Sequence, residues 1–418
     1  MTEDRNARRN YAVLLGQGVS ASAATELTSL RLVLPFLYAT AGAPVLFAGM
    51  LVPVSTLAKR LVQVVVAPVI KALRPHKRPM ALASILLAAA VALISLTFNL
   101  VDAYWLVPIF LFAALTIGAA TGLGSIAFQV LIGGILSRER RQKLLFTQSS
   151  LAGLVVVIVA VGSLVILKPG TSLAAHQELI WLGIGLFLLS ALLALAIREP
   201  TDRTPDGRDP GVKQKENPAL RQSFRMAFAL PWFNQFLFVR TLYLSIELAI
   251  PFFSIHAASF HGNSISGLNA FVIAANIGLV AGGFLWVKIG QRSLHLIMIL
   301  AAGLTCIGGL LAMAIELRFA SQSILWYAIV FVLVSLGTQG VKNGRTLYLL
   351  ESASDDERPF CIAVSNLVIG IVAIAFGGLL GALASFKGVA WPILTLIVLN
   401  VLAAVYTMKL RPASGKSA

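Results

Sequence analysis

The chain has 418 residues, of which 58% are hydrophobic and 12% charged, and its mean hydropathy is +0.87. Soluble domains are about 45–50% apolar and about 25% charged, so this composition excludes a soluble globular protein and indicates several membrane spans. The formal net charge of +16 lies mostly in short loops between apolar segments, where it is a topology signal rather than a nucleic-acid site.

Twelve apolar segments follow one another along the chain. A helix needs about 20 apolar residues to span a hydrocarbon core of about 30 Å. The segments lie at residues 11–38, 43–70, 79–98, 104–135, 144–167, 178–197, 231–257, 264–287, 293–315, 322–350, 359–385 and 389–409. Lys and Arg concentrate in alternate loops, so the positive-inside rule predicts that both termini are cytoplasmic. We therefore expect a multi-pass protein of a bacterial inner membrane.

A polar segment divides these spans six and six. Residues 198–222 are rich in Pro, Gly and charge, which is typical of a flexible linker. We therefore predict an N-terminal six-helix bundle, a cytoplasmic linker and a C-terminal six-helix bundle, at residues 1–197, 198–230 and 231–418.

The two halves resemble each other at an offset of 216 residues. This offset sets Pro35-Phe36 against Pro251-Phe252 and brings Ala67 onto Gly283 without a gap, so the basic loop at 71–78 lies close to the basic loop after the eighth span. Internal similarity between two six-span halves is typical of duplicated transporters.

The loop after the eighth span carries two glycines and two basic residues at fixed spacing. It reads Gly283-Phe-Leu-Trp-Val287-Lys288-Ile-Gly290-Gln291-Arg292, and its counterpart after the second span begins at Ala67. Together with the twelve spans and the central linker, this pattern resembles the major facilitator superfamily, whose loop signature is G-x-x-x-D-R/K-x-G-R-R/K. Val287 and Lys71 stand where the family has an acid that belongs to a cytoplasmic charge network. The resemblance covers nearly the whole chain and implies an all-α integral membrane fold of two pseudo-symmetric six-helix bundles.

Eight charged side chains lie inside the predicted spans, and most of them are basic. They are Arg31, Lys59, Arg60, Arg240, Lys342 and Arg345, with the acids Glu26 and Glu247. A cation at the bilayer centre costs roughly 2.5–3.5 kcal/mol, so such residues are rare and usually face a polar cavity or a partner. An excess of buried positive charge indicates a cavity for an anion. The alternative is that a cation pairs with a glutamate to lock helices or gate the cavity, and for Lys59 and Arg60 the two interpretations have equal weight.

The first span poses a geometric question. Gln17, Thr28 and Arg31 fall on one helical face. Glu26 lies five residues before Arg31, about 140° around a continuous helix, so the two cannot both point at one central cavity. Either Glu26 contacts a neighbouring helix, or the helix is broken there.

The seventh span carries a second polar face. Arg240 and Glu247 are seven residues apart and share this face, approximately with Tyr243. The 216-residue offset sets Glu247 opposite Arg31. In the family that the chain resembles, the first, fourth, seventh and tenth spans line the central cavity.

From these patterns we predict one anion-binding set and one coupling set. The anion-binding residues are Arg31, Arg240, Lys342, Arg345, Tyr243, Lys59 and Gln17. Arg offers a planar fork for carboxylate or phosphate oxygens, and Lys offers a point charge. The residues assigned to coupling or gating are Glu26, Glu247 and Arg60. A desolvated carboxylate can carry a proton, and Arg60 is included because gating is one of its two interpretations.

The expected function is secondary active transport of a small anionic solute by rocking of the two halves, as a symporter or antiporter. The solute would be an organic carboxylate, a phosphate ester or an inorganic anion, with protons or a counter-ion as further partners beside the membrane lipids. Two alternatives stay open: export of an amphiphilic drug or lipid, and a transporter-like assembly scaffold that moves nothing.

Several other chemistries are not expected. The sequence contains no P-loop, metal-ligand cluster or catalytic triad, so we expect neither a cofactor, nor a metal, nor enzymatic activity. His256 and His261 fall in or near a predicted external loop, and we expect them to be solvated. Three Gly-x-x-x-Gly pairs, which begin at Gly118, Gly278 and Gly377, are expected to bring helices close together.

Overall fold

The computed structural model describes residues 2–66, 75–98, 100–136, 138–166, 173–199, 220–261, 265–290, 292–318, 323–354 and 356–411. Within these ranges the chain forms helices and turns, without a strand. The first half contains α1 Thr2–Leu27, α2 Val33–Thr40, α3 Val45–Ala48, α4 Leu51–Val65, α5 Lys77–Thr97, α6 Ala103–Ile135, α7 Arg138–Ile166 and α8 Leu173–Leu195. The second half contains α9 Leu220–Phe228, α10 Pro231–Leu242, α11 Leu244–Glu247, α12 Ala249–His261, α13 Ile265–Gly290, α14 Leu294–Glu316, α15 Ile324–Ser352, α16 Arg358–Lys387 and α17 Ala390–Thr407.

The predicted all-α membrane fold is confirmed. In the part of the chain that the structure describes, 10 helical stretches are long and apolar enough to cross a membrane. They match the predicted spans except the first and the fifth, where the structure has α1 with α2, and α7. Helices suit this environment because every backbone group then bonds within its own segment, away from lipid.

Some predicted features lie outside the described ranges. Residues 200–219, which form most of the predicted linker, are among them, and so is the first copy of the loop signature from Ala67 to Arg74. The end of the predicted linker is helical, since α9 begins at Leu220. The division at 1–197, 198–230 and 231–418 stays a prediction.

The first and seventh spans are broken at equivalent positions. Helix α1 ends at Leu27 and α2 begins at Val33, while α10 ends at Leu242 and α12 begins at Ala249 after the single turn of α11. Ala249 is the residue 216 positions after Val33, so the offset found in the sequence aligns the two restarts. Discontinuous helices in corresponding positions of two halves are typical of transporter binding sites.

The two halves meet through a small set of helices. Helix α2 contacts α12, α7 contacts α13, and α16 contacts both α3 and α4. The Ser254 hydroxyl on α12 donates a hydrogen bond of 2.5 Å to the backbone carbonyl of Leu32. Phe36 and Phe271 pack edge to face with ring centroids 6.2 Å apart. The last two contacts hold the restart of the first span against α12 and α13 of the second half.

Glycines permit the closest helix approaches, as predicted. At Gly118 on α6 a Cβ atom would meet the backbone carbonyl of Ser55 on α4, and at Gly381 on α16 it would meet that of Leu46 on α3. Close approach of small residues replaces the hydrophobic effect as the packing force between membrane helices.

We expect Gly118→Val to lower the free energy of unfolding by about 1–3 kcal/mol, because the added side chain would force α6 away from α4. The measurement is thermal unfolding of the purified protein in detergent. Gly185→Val is the matched control, since a Cβ at Gly185 meets nothing within 4 Å. Equal destabilisation by both substitutions would show that the close approach at Gly118 is not what matters.

Candidate functional site

A cavity of about 330 Å³ lies between the two halves. Its walls come from the end of α1 and the break after it, from α4, α5, α6 and α8 of the first half, and from α12, α13 and α15 of the second half. The polar lining includes hydroxyl and amide groups at Thr25, Thr28, Ser29, Ser55, Thr56, Thr121, Asn276, Ser335 and Thr338.

Four charged side chains line this cavity among the residues that the structure describes. They are Arg31, Lys59 and Lys342, which are basic, and Glu26, which is acidic. Arg31 and Lys342 are exposed although they lie within predicted spans, so the cavity is accessible to water. Three cations against one carboxylate give these groups a formal charge of +2.

The cavity charges act on one another across the two halves. Lys59 feels repulsion from Arg31 and from Lys342, while Glu26 is attracted by the same two groups. Arg31 and Lys59 belong to the first half and Lys342 to the second. The halves therefore repel each other at this point unless a negative charge lies between them.

The break in the first span explains how Glu26 and Arg31 share one cavity. On a continuous helix they would point in different directions, but α1 ends at Leu27 and residues 28–32 are not helical. Both side chains line the cavity as a result. Of the two alternatives from the sequence, the broken helix is the one that the structure shows.

Three predicted cations lie outside the cavity lining and are bound to protein groups. Arg345 forms an ion pair with Glu247 through Nη1 and Oε1. Arg240 is buried, and its two terminal nitrogens donate hydrogen bonds to Ser365 Oγ at 2.5 Å and Asn366 Oδ1 at 2.8 Å. Arg60 donates to Gln63 Oε1 at 3.3 Å. Arg345 matches the alternative interpretation, in which a cation pairs with a glutamate to join helices. Arg240 joins helices through neutral groups, and the hydrogen bond of Arg60 stays within α4.

The cluster around Glu247 is itself electrostatically connected. We use the term glutamate cluster for Glu247, Arg345, Arg240 and Arg60. Arg240 and Arg60 both feel the attraction of Glu247 and the repulsion of Arg345. Glu247 is also attracted by Arg31, which links the glutamate cluster to the cavity.

Two other predicted binding residues point elsewhere. Tyr243 is fully buried, and its hydroxyl forms a 2.8 Å hydrogen bond with Thr407 Oγ1 on α17. Gln17 donates to Ser190 Oγ on α8 at 3.0 Å. Both side chains join α1 or the seventh span to the last helix of their own half, so the structure brings neither into the cavity.

The structure also adds residues that the sequence did not single out. Thr121 on α6 lines the cavity, as do Thr25 and Ser29 on either side of the break. Thr121 directly precedes Gly122, where a Cβ atom would meet the backbone carbonyl of Lys59. The glycine pair Gly118 and Gly122 lies against Ser55 and Lys59, both of which line the cavity. The pair therefore indicated which part of the fourth span lies beside the cavity.

His256 is not solvated, contrary to our expectation. It lies on α12 with 2% of its surface exposed, and its ring nitrogens contact Glu316 Oε2 at 3.0 Å and the Tyr327 hydroxyl at 2.6 Å. The expectation was wrong because α12 extends to His261, so residue 256 is inside the helix bundle rather than in a loop.

The family comparison agrees with this architecture. A family model described as Major Facilitator Superfamily matches residues 18–341. Two curated relatives, the uncharacterized proteins Rv2209 of Mycobacterium tuberculosis and Mb2232 of Mycobacterium bovis, are each 27% identical over 306 residues and cover 72% of the chain. The chain spans 58% of the length of these relatives.

Solved structures show the same fold. A variant of the nucleoside transporter NupG matches with a TM-score of 0.71 and 10% identity, over 97% of this chain and 99% of that chain. The D-xylose-proton symporter matches with a TM-score of 0.63 and 14% identity, over 100% of this chain and 99% of that chain.

Proposed function

Since the chain belongs to the major facilitator superfamily, we propose that it is a secondary active transporter for a small anionic solute, which it moves by alternating access. One observation carries the choice of an anion: Arg31, Lys59 and Lys342 converge on one water-accessible cavity whose acidic lining residue is Glu26. Three cations inside predicted spans are costly in a membrane, and an anionic solute gives them a partner, which an uncharged solute does not.

The position of the cations supports alternating access as well as binding. Lys342 is on α15 of the second half, and it faces Arg31 and Lys59 of the first half. An anion between the two halves is attracted both by Lys342 and by the cations of the first half. Its binding therefore offsets their repulsion and favours the approach of the halves. Ligand binding and the motion of the halves are thereby joined in a single electrostatic step.

The dimensions of the cavity fit a small solute. A volume of about 330 Å³ is at the lower end of the 300–1,000 Å³ that is usual for small-molecule pockets. Arg31 supplies a fork that can bind two oxygens of a carboxylate or phosphate, and the two lysines supply point charges. Glu26 and the glutamate cluster are proposed to gate or couple the cycle rather than to bind the solute.

The test is binding to the purified protein followed by transport in proteoliposomes. Carboxylates, phosphates and inorganic anions are screened by thermal shift beside an uncharged sugar and an uncharged nucleoside. We expect anions to stabilise the protein saturably, by about 2.7 kcal/mol at a concentration 100 times the Kd. Counterflow of the same anion should follow in liposomes.

Three outcomes would contradict the proposal. Stabilisation by the sugar or nucleoside alone would indicate an uncharged solute. Competition by lipophilic cations or neutral drugs would indicate amphiphile export. Binding without counterflow, together with a stable co-purifying membrane complex, would indicate an assembly scaffold.

A further inference from the structure

The cavity extends to helices that the sequence did not place around it. Leu87 and Val91 on α5 line it, together with Phe187 on α8 and Ile117 on α6. Helices α5 and α8 are the third and sixth spans, whereas the predicted lining came from the first, fourth, seventh and tenth. We call Leu87, Val91, Ile117 and Phe187 the apolar subsite.

The break in the first span accounts for this extension. Residues 28–32 leave the helix, so no continuous α1 separates the cavity from the helices behind it. Gly183 on α8 lies directly against Thr28, where a Cβ would meet the threonine methyl group. Leu87 and Val91 are four residues apart and therefore share one face of α5. The cavity thus reaches past the break into the interior of the first half.

The apolar subsite differs chemically from the charged part of the cavity, although other lining residues, such as Val272 and Leu279, are apolar too. Its four side chains carry no polar atom, and Val91 and Phe187 are only 1% and 2% exposed. It lines the same cavity as Arg31, and the contact between Gly183 and Thr28 sets Phe187, one turn further along α8, close to the break in which Arg31 lies. A ligand that bonds to Arg31 through an anionic head therefore has an apolar wall within reach of the atoms attached to that head.

We propose that the apolar subsite holds the hydrocarbon part of the transported anion. The substrate class is then an organic carboxylate with an aliphatic or aromatic body, rather than an inorganic anion or a sugar phosphate. Such a ligand covers the accessible surface of Leu87 and Ile117 and releases the water there, whereas a fully hydrophilic anion leaves these two side chains in contact with water. This inference rests on the proposed anion transport and narrows its substrate.

A series of straight-chain carboxylates tests the inference. The dissociation constants of acetate, butanoate and hexanoate are measured by calorimetry on the purified protein, with titrations into protein-free micelles subtracted. Each buried methylene should strengthen binding about fourfold, which corresponds to about 0.8 kcal/mol. Hexanoate should therefore bind on the order of 100-fold more tightly than acetate, until the subsite is full.

Two variants link this preference to the subsite. Ile117→Phe fills the space, and Leu87→Ala removes part of the wall, so each should reduce the ratio of hexanoate to acetate affinity by about tenfold or more. The matched control is Leu115→Phe. Leu115 lies on α6 like Ile117, but its side chain is 51% exposed on the outer surface. This control should leave the ratio unchanged. A smaller fraction of folded protein weakens the apparent affinity for both carboxylates equally. The ratio of the two affinities therefore reports on the subsite alone.

The outcomes distinguish this inference from the proposed function. If acetate and hexanoate bind equally, or phosphates bind and carboxylates do not, the subsite proposal is overturned while anion transport stands. If no anion of any class binds, both fail. An equal loss of ratio in Leu115→Phe would show that the loss is not specific to the subsite, and a ratio unchanged by all three substitutions would assign the chain-length effect to the surrounding detergent. Either result would also overturn the subsite.

Discussion

Lys342→Gln and Arg31→Gln should each weaken binding of the transported anion by about 30-fold or more, and the double variant should abolish saturable uptake. Truncating one partner of a desolvated, hydrogen-bonded charge pair costs about 2–5 kcal/mol, and about 1.4 kcal/mol corresponds to a factor of ten. Among the described lining residues, Lys342 is the cation that the second half contributes. Its loss should therefore impair the motion of the halves as well as affinity.

Equilibrium binding and counterflow in proteoliposomes measure the two effects separately. Lys342→Arg keeps the charge and should retain much of the affinity. The matched control is Lys387→Gln, because the Lys387 ammonium lies 5.6 Å from the centroid of the Trp391 ring at the end of α16, outside the cavity lining. If the Lys342→Gln protein is folded and binds and transports like the unmodified protein, the cavity cations do not recognise the solute.

Much of the fold is predictable from the sequence because its signals are local. Apolar runs of sufficient length locate the spans, and the repeated Pro-Phe dipeptides give the offset that aligns the two helix restarts. The break in the first span has a signal just after it, since Pro35 has no N–H to donate to the backbone carbonyl of Arg31, and Pro251 stands at the equivalent place in the seventh span. The conflict between Glu26 and Arg31, which could not share a cavity on a continuous helix, was a second signal.

The candidate site is less predictable because its partners are distant in sequence. Arg31 and Arg240 look alike from the sequence, yet Arg240 is bound by Ser365 and Asn366 of α16, more than 120 residues away. Helical periodicity does not resolve the difference, since a helix that is apolar on most of its surface shows no clear inward face. Tertiary packing therefore decides which cations line the cavity and which join helices.

The ion pair between Arg345 and Glu247 leads to the second large expected effect, which concerns stability rather than binding. In Arg345→Gln the Glu247 carboxylate loses its ion-pair partner inside the bundle, which should cost about 3–5 kcal/mol. In Glu247→Gln the carboxylate that attracts Arg240 and Arg60 is gone, while Arg345 still repels both, so this variant should be destabilised as well. The double variant Glu247→Gln/Arg345→Gln removes both charges at once and should lose less stability than the sum of the two single losses.

A double-mutant cycle on unfolding in detergent measures this coupling. For an ion pair that mainly joins helices, the coupling energy should lie in the range of about 0.5–3 kcal/mol seen for contacting residues. The double variant should still be destabilised, because Arg240 and Arg60 keep their charges without Glu247 between them. If the stability lost in the double variant equals the sum of the losses in the two single variants, the ion pair contributes no coupling energy. In that case Arg345 would return to the set of free cations from which an anion site can be built.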